Sequence, residues 1–506
     1  MKALKCATYN DELRLVDVES SFNRGLPALN IVGLAGASIK ESAERVKSAL
    51  LSLNFSFPAQ KIIINLSPSD MPKSGSHFDL PIALLIALQK ERDFEPIFAF
   101  GELGLDGDVK STASLFSILL FLSAKAPGSR ALIPQEIAQK AGAIPNLEIY
   151  AVSNLAEAIK FFLEPEFAVS RRVGAVHPLF SNLIKIGEKS FVKNQNFELN
   201  FSDVKGQSRA KRACLVAACG MHNIIFEGSP GCGKSMSAKR LRYILPPQSL
   251  DEILLSCAYS SLNQQESEFS ALRAFRSPHH TSTRSSIFGG GSSSARIGEV
   301  GLANGGILFF DELPHFAPQI LESLREPLED YKINISRVNS KVTYETKFMF
   351  VAAMNPCPCG NLLSKNLECK CSELEIKRYK SRISAPVLDR IDLHVQMDEV
   401  AASDKSDVTS ESMQDTVLRV FETQISRSQS ELNGKLGDEE IVKFCICDDE
   451  ASGVLDNATQ RFSLSRRAIN KTLKVARTIA DIEGSRIIKK PHILEALSYR
   501  VKQEGA

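Results

Sequence analysis

The spacing of apolar and polar positions changes several times along the chain, and each change predicts an element. In SIKESAERVKSALLSL (38–53), Ile39, Ala43, Val46, Leu50 and Leu53 fall on one helical face, and Ser38 with Glu41 predicts a capping box. KIIINL (61–66) reads as a strand, and SPSDMPKSG (67–75) breaks the pattern before an apolar helix from about Asp79. GELGLDGDV (101–109) reads as a strand turning at Asp106-Gly107. These elements predict an α/β domain over 1–165. Residues 166–200 are mixed and polar, and predict a linker with little regular structure. From 201 to 400 strand and helix patterns alternate, as in a nucleotide-binding sheet. Residues 401–415, AASDKSDVTSESMQD, predict a flexible connection, and 416–506 predict a helical domain. There, Ile469, Leu473, Ala476 and Ala480 line one face of RRAINKTLKVARTIADI, while Arg467, Lys471 and Lys474 line a basic one.

Composition narrows the class. The 506 residues carry 61 Lys+Arg against 59 Asp+Glu, a formal charge of +2, so any nucleic-acid contact must come from local patches. The apolar runs LPIALLIAL (80–88) and LFSILLFL (115–122) are too short to span a bilayer and read as buried helices. The first residues lack a secretory apolar core, so 11 Cys point to reduced thiols or metal rather than disulfides, and to a cytoplasmic protein with no membrane partner.

The most specific chemistry lies at 228–235, GSPGCGKS, a phosphate loop of the form G-x-x-x-x-G-K-[ST]. Gly228, Ser229, Pro230, Gly231, Cys232 and Gly233 would wrap backbone N–H groups around phosphate oxygens. Lys234 would neutralise the β and γ phosphates, and the Ser235 hydroxyl would ligate Mg²⁺. An apolar strand, NIIFE (223–227), precedes the loop, and a helix pattern (235–245) follows it.

GGILFFDEL (305–313) supplies a second strand ending in acids. Asp311 would hold Mg²⁺, and Glu312 would orient and deprotonate the attacking water. KFMFVAAMN (347–355) ends at Asn355, where a ring ATPase keeps a polar residue to sense the γ-phosphate. In APVLDRIDLHV (385–395), Arg390 suits an arginine finger offered to a neighbouring subunit, or an internal pair with Asp389 or Asp392. Arg467 suits either a phosphate contact from a lid or a solvated helix face.

Together these residues resemble the ComM/YifB-type, magnesium chelatase-like branch of the AAA+ ATPases. The resemblance runs through GLPALNIVGLAGASIKESAERVKSAL (25–50), NLSPSDMPKSGSHFDLPIAL (65–84), DVKGQSRAKRA (203–213), GSPGCGKS, FRSPHHTST (275–283), GGILFFDELPHF, AAMNPCPCG (352–360), LDRIDL (388–393) and LSRRAINKTLKVARTIADIEG (464–484). It implies an S5-like, Lon-protease-like α/β domain followed by a P-loop AAA+ module with a helical lid, working as a ring, commonly a hexamer. It implies ATP and Mg²⁺ as cofactors, with Asn355 as first sensor, Arg390 as finger and Arg467 as second sensor. It also implies a DNA motor for branch migration in natural transformation; the chelatase label reflects the module and not porphyrin chemistry. Arg296 stands where the family has Pro, and Asn304 where it has His. A Lon-type nucleophile would fall at about His77 and its Lys near Phe116, so no peptidase site is expected.

Cys357, Cys359, Cys369 and Cys371 form C-x-C, nine residues, then C-x-C, a set suited to structural Zn²⁺ or to four free thiols. Two inserts offer basic residues to DNA phosphates: 274–296, with Arg276, Arg284, Arg296, two His and the GGGSSS tract (289–294), and 331–345, a hairpin with Arg337 and Lys341 near its tip. For each single residue a solvated surface loop is the better reading. Three functions follow: a DNA motor, a chelatase-type motor remodelling a protein partner, and an ATP-gated DNA scaffold with little turnover.

Overall fold

The computed structural model describes residues 2–500 apart from 10–11, 92–94, 96, 175–176, 182, 266–267, 291–295, 338–339, 402–403 and 407, and apart from the side chains of residues 2, 336, 337, 340 and 341. The GGGSSS tract lies largely outside the described residues, as do the side chains of Arg337 and Lys341. Two compact units form. The first holds Met1–Ser181, Leu254–Phe269 and Val338–Val342, and the second Asn182–Ile253, Ser270–Arg337 and Thr343–Ala506. Two short segments from the middle of the sequence thus group with the first unit, which a division into consecutive stretches does not anticipate.

In the first unit a seven-stranded mixed sheet runs in the order 28–32, 61–67, 13–23, 2–9, 98–99, 129–134 and 147–152. Strand Lys61–Ser67 buries Ile62, Ile64 and Leu66 on one face, as its alternation requires. Helix Ala37–Ser52 buries Ile39, Val46 and Leu50. Its expected capping box does not form. The N-cap is Gly36, so Ser38 already lies inside the helix; its hydroxyl accepts from the Gly75 N–H (3.2 Å), and Glu41 lies 3.8 Å from Arg45. Helix Asp79–Ala87 is buried almost all round, which accounts for its lack of a polar face. Glu102–Leu103 pairs antiparallel with Val109–Lys110 around the expected turn, where Gly107 takes a φ of +94°.

The second unit is built on a five-stranded parallel sheet in the order Phe275–Arg276, Ile307–Phe310, Met349–Met354, Ile224–Gly228 and Leu393–Met397. The strands Ile224–Gly228, Ile307–Phe310 and Met349–Met354 are buried at every position. Unbroken apolar runs of this kind are what parallel strands covered on both faces need. Helices Ser410–Ser426, Asp449–Phe462, Arg466–Ile482 and Lys490–Ser498 make up the helical end of the chain.

The supposed linker 166–200 is more regular than its composition suggests. Helix Pro165–Ser170 starts it, and strands Leu183–Ile186 and Lys189–Val192 pair antiparallel, with Gln248–Ser249 added at the edge. Ile186 and Phe191 pack with Phe421. Four-residue strands with one buried face place too few apolar residues in a window to show a period. Likewise the connection 401–415 already contains the start of helix Ser410–Ser426, capped by Thr409. Among the described residues no helix is long and apolar enough to cross a membrane.

Candidate nucleotide site and the residues around it

Ligands of open parallel sheets sit beyond the C-terminal strand ends. Here the strand Ile224–Gly228 runs straight into the phosphate loop, and helix Lys234–Ile244 leaves it. Gly231 and Gly233 take φ values of +80° and +96°, a region where a side chain would be strained, and a Cβ at Gly231 would meet nothing within 4 Å. The loop therefore leaves open space beside Gly231. Inside it, the buried Ser229 Oγ has no hydrogen-bond partner among the described residues.

The neighbouring strand ends close on this loop. Lys234 Nζ donates to the carbonyls of Gly228 (2.6 Å) and Ser229 (2.9 Å) and to Asn355 Oδ1 (3.2 Å). Asn355 directly follows the strand Met349–Met354, which pairs with the loop strand. One strand further out, Asp311 follows Ile307–Phe310 and its Oδ2 accepts from Ser235 Oγ at 2.7 Å. Burial pushes the Lys234 ammonium below its ordinary pKa, while Cys232 and Asp311 oppose the shift. A partly desolvated cation flanked by a hydroxyl–carboxylate pair fits a triphosphate with its Mg²⁺. Burial pushes the Cys232 thiol up, away from thiolate chemistry.

Glu312 sits in left-handed backbone, φ +53°, a conformation costing about 1–3 kcal/mol and kept mainly where function demands it. Its carboxylate is solvent-exposed and lies 3.8 Å from His280 Nδ1. That proximity is absent from the motif reading, although the topology contains its cause. FRSPHH continues the edge strand Phe275–Arg276, which runs parallel beside the strand leading to Glu312.

The two arginines sit together and away from this set. Arg390 and Arg467 each form an ion pair with Glu329, one on each carboxylate oxygen. Arg390 also donates to the carbonyls of Pro386 (2.6 Å) and Arg325 (3.2 Å). The internal Asp389 or Asp392 partner is thus not the one used, and the ion pair of Arg467 is with Glu329. Glu329 and Arg390 line a cleft of about 690 Å³ together with Arg284, Arg325, Glu326 and Asn334. No residue of the phosphate loop lines this cleft.

The basic face of helix Arg466–Ile482 is also not simply solvated. Lys471 Nζ lies 3.0 Å from the buried Asp392, whose other oxygen accepts from the Asn223 N–H at 2.8 Å. Burial alone would raise the Asp392 pKa. Lys471, His222 and the Asn223 N–H outweigh it and hold the carboxylate well below the usual range.

The four cysteines converge. Cys357 Sγ lies 3.4 Å from Cys359 and 3.7 Å from Cys369, Cys359 and Cys369 are 3.6 Å apart, and all four sulfurs lie within 4.8 Å of one another. Four thiolates around Zn²⁺ at about 2.3 Å define a tetrahedron with edges of about 3.8 Å, so this donor set fits that ion. Of the two basic inserts, 331–345 is a hairpin of strands Lys332–Arg337 and Ser340–Glu345. The other begins inside the sheet. Arg276 lies on its edge strand and is neutralised by Glu299 at 2.5 and 2.9 Å, whereas Arg284 is exposed. Arg276 is therefore not a free contact for a phosphate backbone.

Comparison with known proteins covers nearly the whole chain. The family models for "Magnesium chelatase, subunit ChlI", "Subunit ChlI of Mg-chelatase" and "Magnesium chelatase, subunit ChlI C-terminal" match residues 200–405, 18–137 and 407–500. The chain is 35% identical over 497 residues to the competence protein ComM of Haemophilus influenzae, covering 96% of this chain and 94% of that protein. It is 36% identical over 496 residues to YifB of Escherichia coli and over 499 residues to YifB of Salmonella typhimurium, with the same coverage.

Proposed function

The chain belongs to the ComM/YifB family, the magnesium chelatase-like branch of the AAA+ ATPases, and on that premise we propose that it is a ring-forming motor that hydrolyses Mg·ATP to move on DNA. The observation that carries the ATPase reading is the convergence of Lys234, Ser235, Asp311 and Asn355 from three parallel strand ends onto one open loop. Bound ATP would bring the phosphoanhydride that is cleaved, and Mg²⁺ would neutralise its charge. Lys234 would exchange its carbonyl partners for phosphate oxygens, Ser235 and Asp311 would hold the ion, and Asn355 would fix the Lys234 ammonium. Glu312, on its exposed left-handed turn, would take the proton of the attacking water, with the His280 ring 3.8 Å away.

Arg390 and Arg467 share one carboxylate, Glu329, which would have to release them before either met a phosphate. We assign both to the γ-phosphate of a neighbouring copy, which gives a ring, commonly a hexamer, its catalytic coupling. DNA as substrate is supported by the relative named as a competence protein and by the exposed Arg284; branch migration during transformation is the specific task proposed. The four-cysteine set is assigned to structural Zn²⁺. A second reading, a chelatase-type motor acting on a protein partner, is favoured by the neutralised Arg276 and by the family models.

The test is the ATPase rate with and without single-stranded and forked DNA, with Lys234→Ala as blank. Stimulation by DNA that disappears in the variant supports the DNA motor. An active ATPase indifferent to every DNA favours the protein-remodelling reading.

A further inference from the structure

Residues 356–371 connect Asn355 to the helix Glu373–Lys380 without a helix or strand of their own. Their larger apolar side chains, Leu362, Leu363 and Leu367, are exposed, so the segment has little core to hold it. It nevertheless touches the phosphate loop at Gly360, and both of its ends are anchored. First, Gly360, at φ +82°, lies so close to Pro230 that a Cβ would come within 2.7 Å of its Cδ. Second, Asn355, two residues before Cys357, accepts from Lys234 at 3.2 Å. At its far end, Ser372 caps the helix after Cys371 through a reciprocal bond with Glu375.

We propose that the four thiolates bind one Zn²⁺ that acts as a removable buttress for the phosphate loop, so that metal occupancy sets nucleotide affinity. The sulfurs are spaced as a tetrahedral ion needs, and the metal replaces the core this loop lacks. Release of the ion frees Gly360 from Pro230 and loosens the Asn355–Lys234 contact, both on the phosphate-binding side. Cys357, Cys359, Cys369 and Cys371 are thus positioning residues for the nucleotide. The coupling rests on the ATPase reading, whereas the metal site itself does not.

Full-length protein purified without chelator should contain about one zinc per chain, as expected for a closed four-thiolate site. Stripping with a zinc-selective chelator should weaken binding of a fluorescent ATP analogue in excess Mg²⁺ by about tenfold or more, and added Zn²⁺ should restore it. Cys359→Ser with Cys369→Ser should abolish zinc binding. Gly360→Ala separates coupling from folding: it should keep its zinc and still lose about tenfold in nucleotide affinity, because the new methyl displaces Pro230. Absence of zinc, together with no tetrathiolate absorption on titrating Co²⁺, overturns the site. Stoichiometric zinc with nucleotide affinity unchanged in both the stripped protein and Gly360→Ala overturns the buttress. Zinc-loaded protein that binds no Mg·ATP removes the ATPase reading and the coupling together, and leaves the metal site standing.

Discussion

Both units bury charged and polar side chains, and the two sets are put to opposite use. In the first unit Asp79 is fully buried and accepts from Ser42, from Arg45 at 2.6 and 3.0 Å, and from the Leu103 N–H at 3.2 Å. Lys73, equally buried, donates to the carbonyls of Gly33 (3.0 Å) and Pro68. His77, where a Lon-type nucleophile would stand, is held to the Ala7 carbonyl at 2.9 Å, and burial lowers its pKa to about 4. In the second unit Lys234, Ser235, Asp311 and Asn355 join different strand ends around a loop with open space at Gly231 and an unpartnered Ser229 hydroxyl. The lesson is that residue type does not make a site. Polar groups whose partners are the fold itself hold it together, and a buried atom without a partner, as at Ser229 Oγ and equally at His77 Nδ1, is a candidate ligand position only where further groups converge on open space.

The largest expected effect separates the two lysines. Lys234→Ala should lower ATP turnover by at least about 10²–10³-fold, the scale for removing a group that meets transition-state charge, with an unchanged circular dichroism spectrum. Lys73→Met should leave turnover per folded chain at the wild-type value. Equal loss in the two variants would break the contrast.

The buried carboxylates come next. Asp79→Ala and Asp392→Ala should each cost about 3–5 kcal/mol of stability at neutral pH, since each strands a charged partner, as read by chemical denaturation. Their pH responses should have opposite signs. Burial dominates at Asp79 and raises its pKa against Arg45 and Ser42. Its folded form keeps the proton longer than the unfolded chain does, so its contribution falls as pH rises above the unfolded value of about 3.9. Asp392 is depressed. Its contribution is therefore complete above about pH 4 and lost as the pH falls below that value. Asp392→Asn should flatten the acid-side loss of stability, and Asp79→Asn should flatten the opposing trend.

The second unit was the more legible in sequence because its signals are local. Lys234 and Ser235 are fixed by an eight-residue motif, and Asp311 and Asn355 each end an apolar run long enough to be recognised as a parallel strand. What escaped depends on contacts between distant segments. Glu329, which gathers Arg390 and Arg467, lies in a short acidic helix with no motif around it. Arg276 reads as a free basic residue until Glu299 is seen beside it. The strands at 183–192 are too short for periodicity, and the capping box at Ser38 failed because the helix starts before it.

The smallest expected effect on stability is at Arg467. Its pair with Glu329 is exposed on both sides, so Arg467→Ala should change stability by no more than about 1 kcal/mol. If it serves a neighbour's phosphate, its turnover defect should nevertheless be clear at protein concentrations where rings form.

The most direct test of the central claim is Mg·ATP binding and turnover measured side by side in Glu312→Gln. The account predicts affinity within a few-fold of wild type and turnover reduced by about 10²–10⁴-fold, as removal of a general base entails. Wild-type turnover in that variant would contradict it.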